Sequence, residues 1–276
     1  MELEALVDRY DEKLRTDAYA DIDASANGLQ VGSIGREVEH DAVAVDAATA
    51  TIAEAVEAGA DVLVTHHGLS WGGIERVTGR AYDRIARLVD AEIALYVSHL
   101  PLDGHQQVGN AAGVAEFLGL TEREPFAVMG GEPIGQRGRL STPRSPRSLK
   151  EELDELPQGA EETRLLSFGP EEVEEVGVVT GSGADFLDDA VAAGVDTLVT
   201  GEGKQQVYHQ ARESEVNVLL AGHYATETFG VRALASLAAE WGLETTYVEH
   251  PTGLCARGRA GPTEADRDVQ TPARHI

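Results

Sequence analysis

Six side chains at the ends of predicted strands have the chemistry of metal ligands. Two of them are adjacent histidines, His66 and His67, which follow the apolar run VLVT at residues 62–65. Imidazole nitrogens and carboxylate oxygens together suit zinc, iron, manganese or nickel, whereas calcium and magnesium prefer oxygen ligands. The pattern therefore predicts a site for one of the first four metals. The six residues are His66, His67, His99, Asp103, His223 and Glu227.

Two of the histidines are each followed four residues later by a carboxylate, His99 by Asp103 and His223 by Glu227. Six candidates exceed a tetrahedral shell, so we expect two divalent ions per subunit rather than one. If Glu227 bridges them, each ion has about three protein ligands and keeps open positions for water. Open coordination is typical of a reactive site, whereas structural zinc is closed.

The adjacent histidines set a geometric condition. Consecutive side chains on a regular strand point to opposite faces. His66 and His67 must therefore lie where the strand has begun to turn, as Gly68 would allow. The alternative is an ordinary pair of histidines at the end of a loop.

Predicted strands and helices alternate around these residues, which indicates an α/β fold. Amphipathic spacing predicts the helices, and in open parallel sheets ligands bind outside the carboxyl ends of the strands. The candidate ligands lie at those ends. The predicted strands are at residues 41–46, 62–65, 93–98 and 247–249, and the predicted helices are at residues 2–15, 47–58, 81–91, 108–118 and 225–240.

The sequence contains an internal repeat. Residues 176–202 align with residues 42–67 at a shift of 135, and residues 219–227 match residues 95–103 at a shift of 124. The second match pairs His99 with His223 and Asp103 with Glu227. It predicts two similar α/β lobes, each a pseudo-duplicated βαβ half. Chance similarity of two Ala/Val-rich βαβ units is the alternative.

We expect an N-terminal lobe at residues 1–122, a C-terminal lobe at residues 123–255 and a disordered tail at residues 256–276, which has few apolar side chains. Residues 121–169 are less regular and predict a small connecting subdomain. Within it, the spacing of Ser148 and Glu151 predicts a capping box at the start of a helix.

The composition excludes several classes of protein. Lys and Arg number 22 against 48 Asp and Glu, for a net charge of −26, and such a surface repels nucleic acid and anionic membranes. A high-salt cytoplasm is one explanation for this charge. The single cysteine, Cys255, excludes an intrachain disulfide framework and a cysteine-based zinc site. No apolar run approaches a membrane span, and the first ten residues lack the features of a signal peptide, so we expect a cytoplasmic protein.

Other polar residues have weaker patterns. Asn27 precedes Gly28, which predicts a tight turn, although the Asn side chain would also suit the lining of a site. Glu202 lies at the strand end equivalent to His67, where it either lines the cleft or belongs to a polar loop. The remaining histidines are not followed by a carboxylate at a spacing that indicates a metal site, so we expect surface or core roles for them. They are His40, His105, His209, His250 and His275.

Five motifs together resemble the dinuclear-metal proteins called GTP cyclohydrolase type 2 homologues, also known as the NGG-interacting-factor-three-like family. The resemblance runs in order from the first helix to about residue 251. The motifs are NGLQVG at 27–32, VTHHG at 64–68, SHLPLD at 98–103, TGEG at 200–203 and AGHYATE at 221–227.

The resemblance implies two α/β lobes with a metal pair in the cleft, and a toroidal homohexamer. It implies that His67 and Asp103 hold one ion, that His66 and His223 hold the other, and that Glu227 bridges them. A further histidine near the metals, His99, is the candidate catalytic residue.

Function follows from the same resemblance. The family name implies hydrolytic opening of the guanine ring of GTP, so we predict a metal-dependent hydrolase with a small-molecule, nucleotide-type substrate. The alternative is a non-enzymatic metal chaperone or a regulatory scaffold, which would need the same ligands but no substrate pocket.

Overall fold

The computed structural model describes residues 1–74, 76–156 and 162–252, so Cys255 and the predicted tail lie outside the described residues. The predicted alternation of strands and helices is confirmed. The strands are β1 (Gly28–Val31), β2 (His40–Asp46), β3 (Val62–His67), β4 (Ala94–Val97), β5 (Leu120–Met129), β6 (Glu132–Arg144), β7 (Arg164–Leu166), β8 (Val173–Val178), β9 (Thr197–Thr200), β10 (Asn217–Leu220) and β11 (Glu244–Tyr247).

Helices cover both sheets. They are α1 (Leu3–Leu14), α2 (Thr49–Glu57), α3 (Arg80–Asp90), α4 (Leu100–Gly104), α5 (Asn110–Phe117), α6 (Pro146–Leu153), α7 (Leu187–Ala192), α8 (Val207–Glu213), α9 (His223–Thr226) and α10 (Thr228–Glu240), with 3₁₀ turns at Thr16–Tyr19 and Gly183–Phe186. Within the described ranges, none of the helices has the length and apolar composition that crossing a bilayer requires.

Two sheets repeat one four-stranded unit. Their strand orders are β1-β4-β3-β2-β11 and β5-β6-β8-β9-β10-β7. In this unit three strands run parallel, β2 to β4 in the first sheet and β8 to β10 in the second, and a short antiparallel strand, β1 or β7, closes one side. In the first sheet β11 adds a fourth parallel strand. The register also repeats, because Asp41 pairs with Val62 in the first sheet and Val176 pairs with Thr197 in the second. The two similar α/β halves are therefore confirmed.

The predicted alignment of residues 219–227 with residues 95–103 differs from the structure by one residue. Val62 pairs with Ala94, whereas its counterpart Thr197 pairs with Asn217. By this register His99 corresponds to Gly222 and not to His223. The helices agree, because α4 begins directly after His99 and α9 begins directly after Gly222.

The hairpin β5–β6 joins the second sheet through antiparallel pairing of β6 with β8. The predicted connecting subdomain at residues 121–169 is therefore wrong. Ser145, rather than Ser148, caps α6, because its side chain accepts a hydrogen bond from the Ser148 N–H at 3.1 Å. The closing strand β11 begins before the predicted residues 247–249.

The strand β11 pairs with β2 in the first sheet, so the chain returns to the first half after completing the second. The strand β5 also spans the predicted boundary between residues 122 and 123. The division into residues 1–122 and 123–255 stays a prediction about folding units.

The central strands β2, β3, β4, β9 and β10 are buried on two faces, as parallel strands covered by helices are. In β3, Val62 and Val64 pack in the core beneath α1 and α10, whereas Leu63 packs with α2 and α3 on the other face. The second sheet packs against α5 and α6 on one face and α7 and α8 on the other. This packing fixes the strand ends at which the predicted ligands lie.

Candidate metal centre

His66 and His67 both belong to β3, which keeps its pairing with β2 as far as Asp46 and His67. The predicted turn of the strand at these residues is therefore wrong. Their ring centroids lie 4.6 Å apart all the same. The His66 side chain is fully buried, whereas the His67 side chain is 20% exposed.

Asp103 reaches the histidines from α4. Its Oδ1 lies 3.6 Å from His66 Nε2, and it accepts hydrogen bonds from the side chains of Asn110 at 2.9 Å and Thr180 at 3.0 Å. Pro101 is compatible with α4 because it lies in the first turn, where a proline leaves no hydrogen bond unmade.

The Glu227 carboxylate lies at the centre of the cluster. Its Oε1 is 3.4 Å from His66 Nε2 and 3.2 Å from His223 Nε2, and its Oε2 is 3.4 Å from His67 Nε2. Two buried atoms, His66 Nε2 and Glu227 Oε2, make no hydrogen bond. Buried polar atoms are rarely left unpaired, so the donor set fits a cation placed among these side chains.

Three histidines of the cluster have a hydrogen-bond partner at Nδ1, and the Nδ1 of His223 lies beside a carboxylate oxygen. A carbonyl or carboxylate oxygen faces each Nδ1, which leaves Nε2 directed to the centre. Such partners orient metal-binding imidazoles and raise their basicity. The partners are Ser98 O for His66 (2.9 Å), Asp46 Oδ1 for His67 (2.9 Å), Asp23 Oδ1 for His99 (2.9 Å) and Glu202 Oε1 for His223 (3.2 Å).

The electrostatics of the cluster favour positive charge. Burial alone would lower the pKa of His66, but the carboxylates of Asp103 and Glu227 outweigh it and raise this pKa to about 10. Burial is likewise outweighed at His223, where Glu227 and Glu202 raise the pKa to about 9. The pKa of Glu227 is held well below its usual range, because the neighbouring histidines outweigh its burial. A proton or a metal cation would satisfy this field.

The donor atoms form three groups, and within each group they lie within 4.8 Å of one another. One contains His66 with Asp103, another contains His67 with His223, and Glu227 belongs to both. The pairing implied by the resemblance, His67 with Asp103 and His66 with His223, stays a prediction. One carboxylate oxygen, Glu227 Oε1, lies 3.4 Å from His66 Nε2 and 3.2 Å from His223 Nε2. The third group joins His99 to His66 and His67.

Sequence reasoning missed Asp23 and Asp46. Asp46 is the last residue of β2, beside the end of β3, so its position at a predicted strand end was a usable signal. No pattern singled out Asp23. Asn27 does more than form a turn, because its Oδ1 accepts the His99 N–H at 2.7 Å and its Nδ2 donates to Asp23 at 2.8 Å.

The other histidines lie outside the three groups among the described residues. His40 of β2, for example, forms a hydrogen bond of 2.8 Å with the Thr246 hydroxyl of β11, at one edge of the first sheet. His275 lies outside the described residues.

The sequence profile of the Duf34/NIF3 (NGG1p interacting factor 3) family matches residues 1–252. The chain belongs to this family. A relative from Halobacterium salinarum, named GTP cyclohydrolase 1 type 2 homolog, is 58% identical over 92% of this chain and 100% of its own. An Escherichia coli protein of the same name is 39% identical over 91% of this chain and 97% of its own.

Solved structures agree with the family assignment. The Duf34/NIF3 chain superimposes on TTHA1606 from Thermus thermophilus with a TM-score of 0.82 and 38% identity, over 92% of this chain and 100% of the other. It superimposes on the protein ybgI, titled as of unknown function, with a TM-score of 0.83 and 34% identity, over 91% and 100% of the two chains.

Proposed function

We propose that this Duf34/NIF3 protein is a dinuclear-metal hydrolase. One divalent ion would be held by His67 and Asp103, the other by His66 and His223, with Glu227 between them. The observation that carries the proposal is the unpaired, fully buried pair of atoms His66 Nε2 and Glu227 Oε2, 3.4 Å or less from other donors of the cluster.

Two cations at these positions would supply acidified water and a Lewis acid for an electrophilic carbon or phosphorus. The chain's own contribution is orientation and proton transfer. His99 has its Nδ1 proton fixed by Asp23 at 2.9 Å, so its Nε2 is the atom that would accept a proton from the reacting water. The short α4 and the Asn27 side chain hold His99 in place through its backbone.

The substrate class follows from the relatives' names, which support a nucleotide-related small molecule. A cavity of about 490 Å³ opens beside the cluster and is lined by His67, His99, Asp103, His223 and Glu227 among others. Ligand sites are commonly 300–1,000 Å³ in volume. A metal chaperone or scaffold would not need such a cavity, so its presence supports the hydrolase.

The test is metal content by mass spectrometry on protein purified without added metal, for the wild type and Glu227→Ala. We expect about two ions per wild-type chain and clearly fewer in the variant. Glu240→Ala, which removes an exposed carboxylate at the end of α10, should keep the wild-type content. Equal metal content in the wild type and Glu227→Ala would contradict the bridging role.

Turnover separates the enzyme from the chaperone. Hydrolysis of GTP or of a related compound that is lost in His66→Ala and Glu227→Ala would support the hydrolase. Transfer of the ions to an acceptor protein without turnover would support the chaperone.

The same proposal includes zinc, iron, manganese or nickel as the bound ion, a toroidal homohexamer as the assembly and a cytoplasmic location. It also includes no binding of nucleic acid or membrane, because the charge of −26 opposes both.

A further inference from the structure

The cavity beside the metal centre has an apolar wall and an exposed aromatic ring. We infer that it binds an uncharged, planar nitrogen heterocycle that carries no phosphate chain. This inference rests on the proposed function, because the heterocycle would be the substrate or part of it. The apolar wall consists of Leu100, Met129, Ile134, Val179 and Phe186.

Trp71 also lines this cavity. The residue is 46% exposed although it is large and apolar. The ring meets His99 edge to face, with centroids 4.9 Å apart, and lies 6.0 Å from His67. The indole is therefore held beside the two histidines with a surface left for a second ring, and aromatic rings prefer stacked or edge-to-face contacts with flat partners.

The charges of the cavity argue against a polyphosphate. Among its described lining residues there is no lysine or arginine, and beside the proposed metal ligands Asp103 and Glu227 it contains the further carboxylate Asp185. Lys204 is close to the cavity but is paired with the Asp185 carboxylate. Phosphate groups are commonly bound by arginine, lysine or backbone N–H groups, so phosphates that extend beyond the two proposed ions would meet the Asp185 carboxylate without a compensating side-chain cation from the described lining.

The Asp185 carboxylate suits the edge of a heterocycle. Asp185 uses one oxygen, Oδ2, toward Lys204, which leaves Oδ1 to accept an N–H. An ionised carboxylate is acceptor-only, so a ring with N–H or amino donors fits better than a ring with acceptors alone. The chemistry therefore favours a free base or a nucleoside over a nucleoside triphosphate.

Tryptophan fluorescence can test this inference, because the chain has two tryptophans. Trp241 lies in the first core, 5.1 Å from the Tyr10 ring, and Trp241→Phe leaves Trp71 as the reporter. Metal-loaded Trp241→Phe protein would be titrated with guanosine and with GTP as its magnesium salt. We expect guanosine to quench Trp71 and to bind at least about tenfold more tightly than GTP.

Two variants test the contacts in the same titration, with binding followed by calorimetry. Trp71→Ala should weaken guanosine binding about tenfold, whereas Trp71→Phe, which keeps a flat ring, should keep most of it. Asp185→Lys should move the preference toward GTP, because it adds a cation and frees Lys204. Equal binding of guanosine by Trp71→Ala and the wild type would overturn the stacking role.

The metal content of each sample, measured before and after titration, separates the two proposals. Protein that holds two ions but binds GTP as well as or better than guanosine, or binds neither, would overturn this inference and leave the metal site standing. Protein that holds no stoichiometric metal would overturn the proposed function and this inference with it.

Discussion

At the scale of single residues, the partners of the imidazoles matter as much as the ligands. Asp46 accepts the Nδ1 proton of His67 at 2.9 Å and so directs its Nε2 toward Glu227. Asp46→Asn should lower metal affinity by about tenfold to a hundredfold, because the charge that raises the basicity of His67 is lost. Titration with a metal-sensitive dye measures this affinity.

The control for charge is Asp8→Asn. Asp8 is an exposed residue of α1, remote from the cluster in the fold, and its substitution changes the net charge by the same amount. Its affinity should equal that of the wild type. If both variants lose the same metal affinity, the effect of Asp46→Asn is due to the change in net charge and not to the orientation of the His67 imidazole.

A second residue-scale prediction concerns Asp41, a fully buried carboxyl in the first core. Burial raises its pKa to about 7, although the Tyr10 hydroxyl donates a hydrogen bond to it at 2.6 Å. The folded protein then keeps this proton to about pH 7, whereas the unfolded chain releases it near pH 4. The free energy of unfolding should therefore fall by about 4 kcal/mol from this group as the pH rises through that window.

Urea unfolding at several pH values tests this prediction. Asp41→Asn should have a flatter dependence on pH between about 4 and 7 than the wild type, because the group no longer titrates. Tyr10→Phe should extend the wild-type dependence to higher pH, since it removes the hydrogen bond that lowers the pKa of Asp41. An unchanged slope in Asp41→Asn would show that another group dominates.

Most of the candidate ligands could be found from sequence because histidine is uncommon at the ends of apolar strands and its four-residue spacing to a carboxylate is repeated. The distances between them could not. How closely His66 approaches Asp103 and Glu227 depends on how the two halves pack, and the register of the third strand differs by one residue from the alignment of the two sequences. Asp23 carries no local pattern, because it acts through a contact 76 residues away.

At the scale of elements, the turn after β8 packs closely against two of the candidate metal ligands. Gly181 has a φ of +57°, and a Cβ there would lie 2.2 Å from Glu227 Oε1 and 3.2 Å from His223 Nε2. Gly181→Ala should therefore displace both side chains and reduce metal content, besides losing about 1 kcal/mol of stability from the positive φ. Mass spectrometry and thermal unfolding measure the two effects.

Gly194 offers a matched control. Its φ is +71°, and a Cβ there would meet no atom within 4 Å. Gly194→Ala should lose a similar amount of stability and keep its metal. Loss of metal from both variants would mean that the backbone strain, and not the contact with Glu227, is responsible.

The elements that sequence predicted well are those with a repeated local pattern, such as the strands β2, β3 and β4 and the helices α2, α3 and α5. The assignment of strands to sheets was harder. Both β11 and the hairpin β5–β6 have local patterns of strands, but their partners, β2 and β8, are distant in sequence. A strand's own residues do not specify which sheet edge it will join.

At the scale of the whole molecule, the two halves are tied together by buried contacts. Thr180 of the second half donates a hydrogen bond to Asp103 of the first. The elements α10 and β11 follow the second sheet in the sequence but belong to the core and sheet of the first half. The candidate metal ligands come from both halves. Any loosening of their packing should therefore separate Glu227 and His223 from the histidines of β3.

The net charge of −26 leads to the last prediction, which concerns assembly. Copies of this chain repel one another at low ionic strength, and the screening length falls from about 10 Å at 0.1 M salt to about 3 Å at 1 M. The proposed hexamer should therefore be a larger fraction of the protein in molar KCl than in dilute buffer. Light scattering after gel filtration measures this fraction, and sucrose of equal osmolality serves as the uncharged control. The same oligomer from low to molar salt would show that contacts between subunits outweigh the repulsion, and the predicted dependence on salt would be wrong.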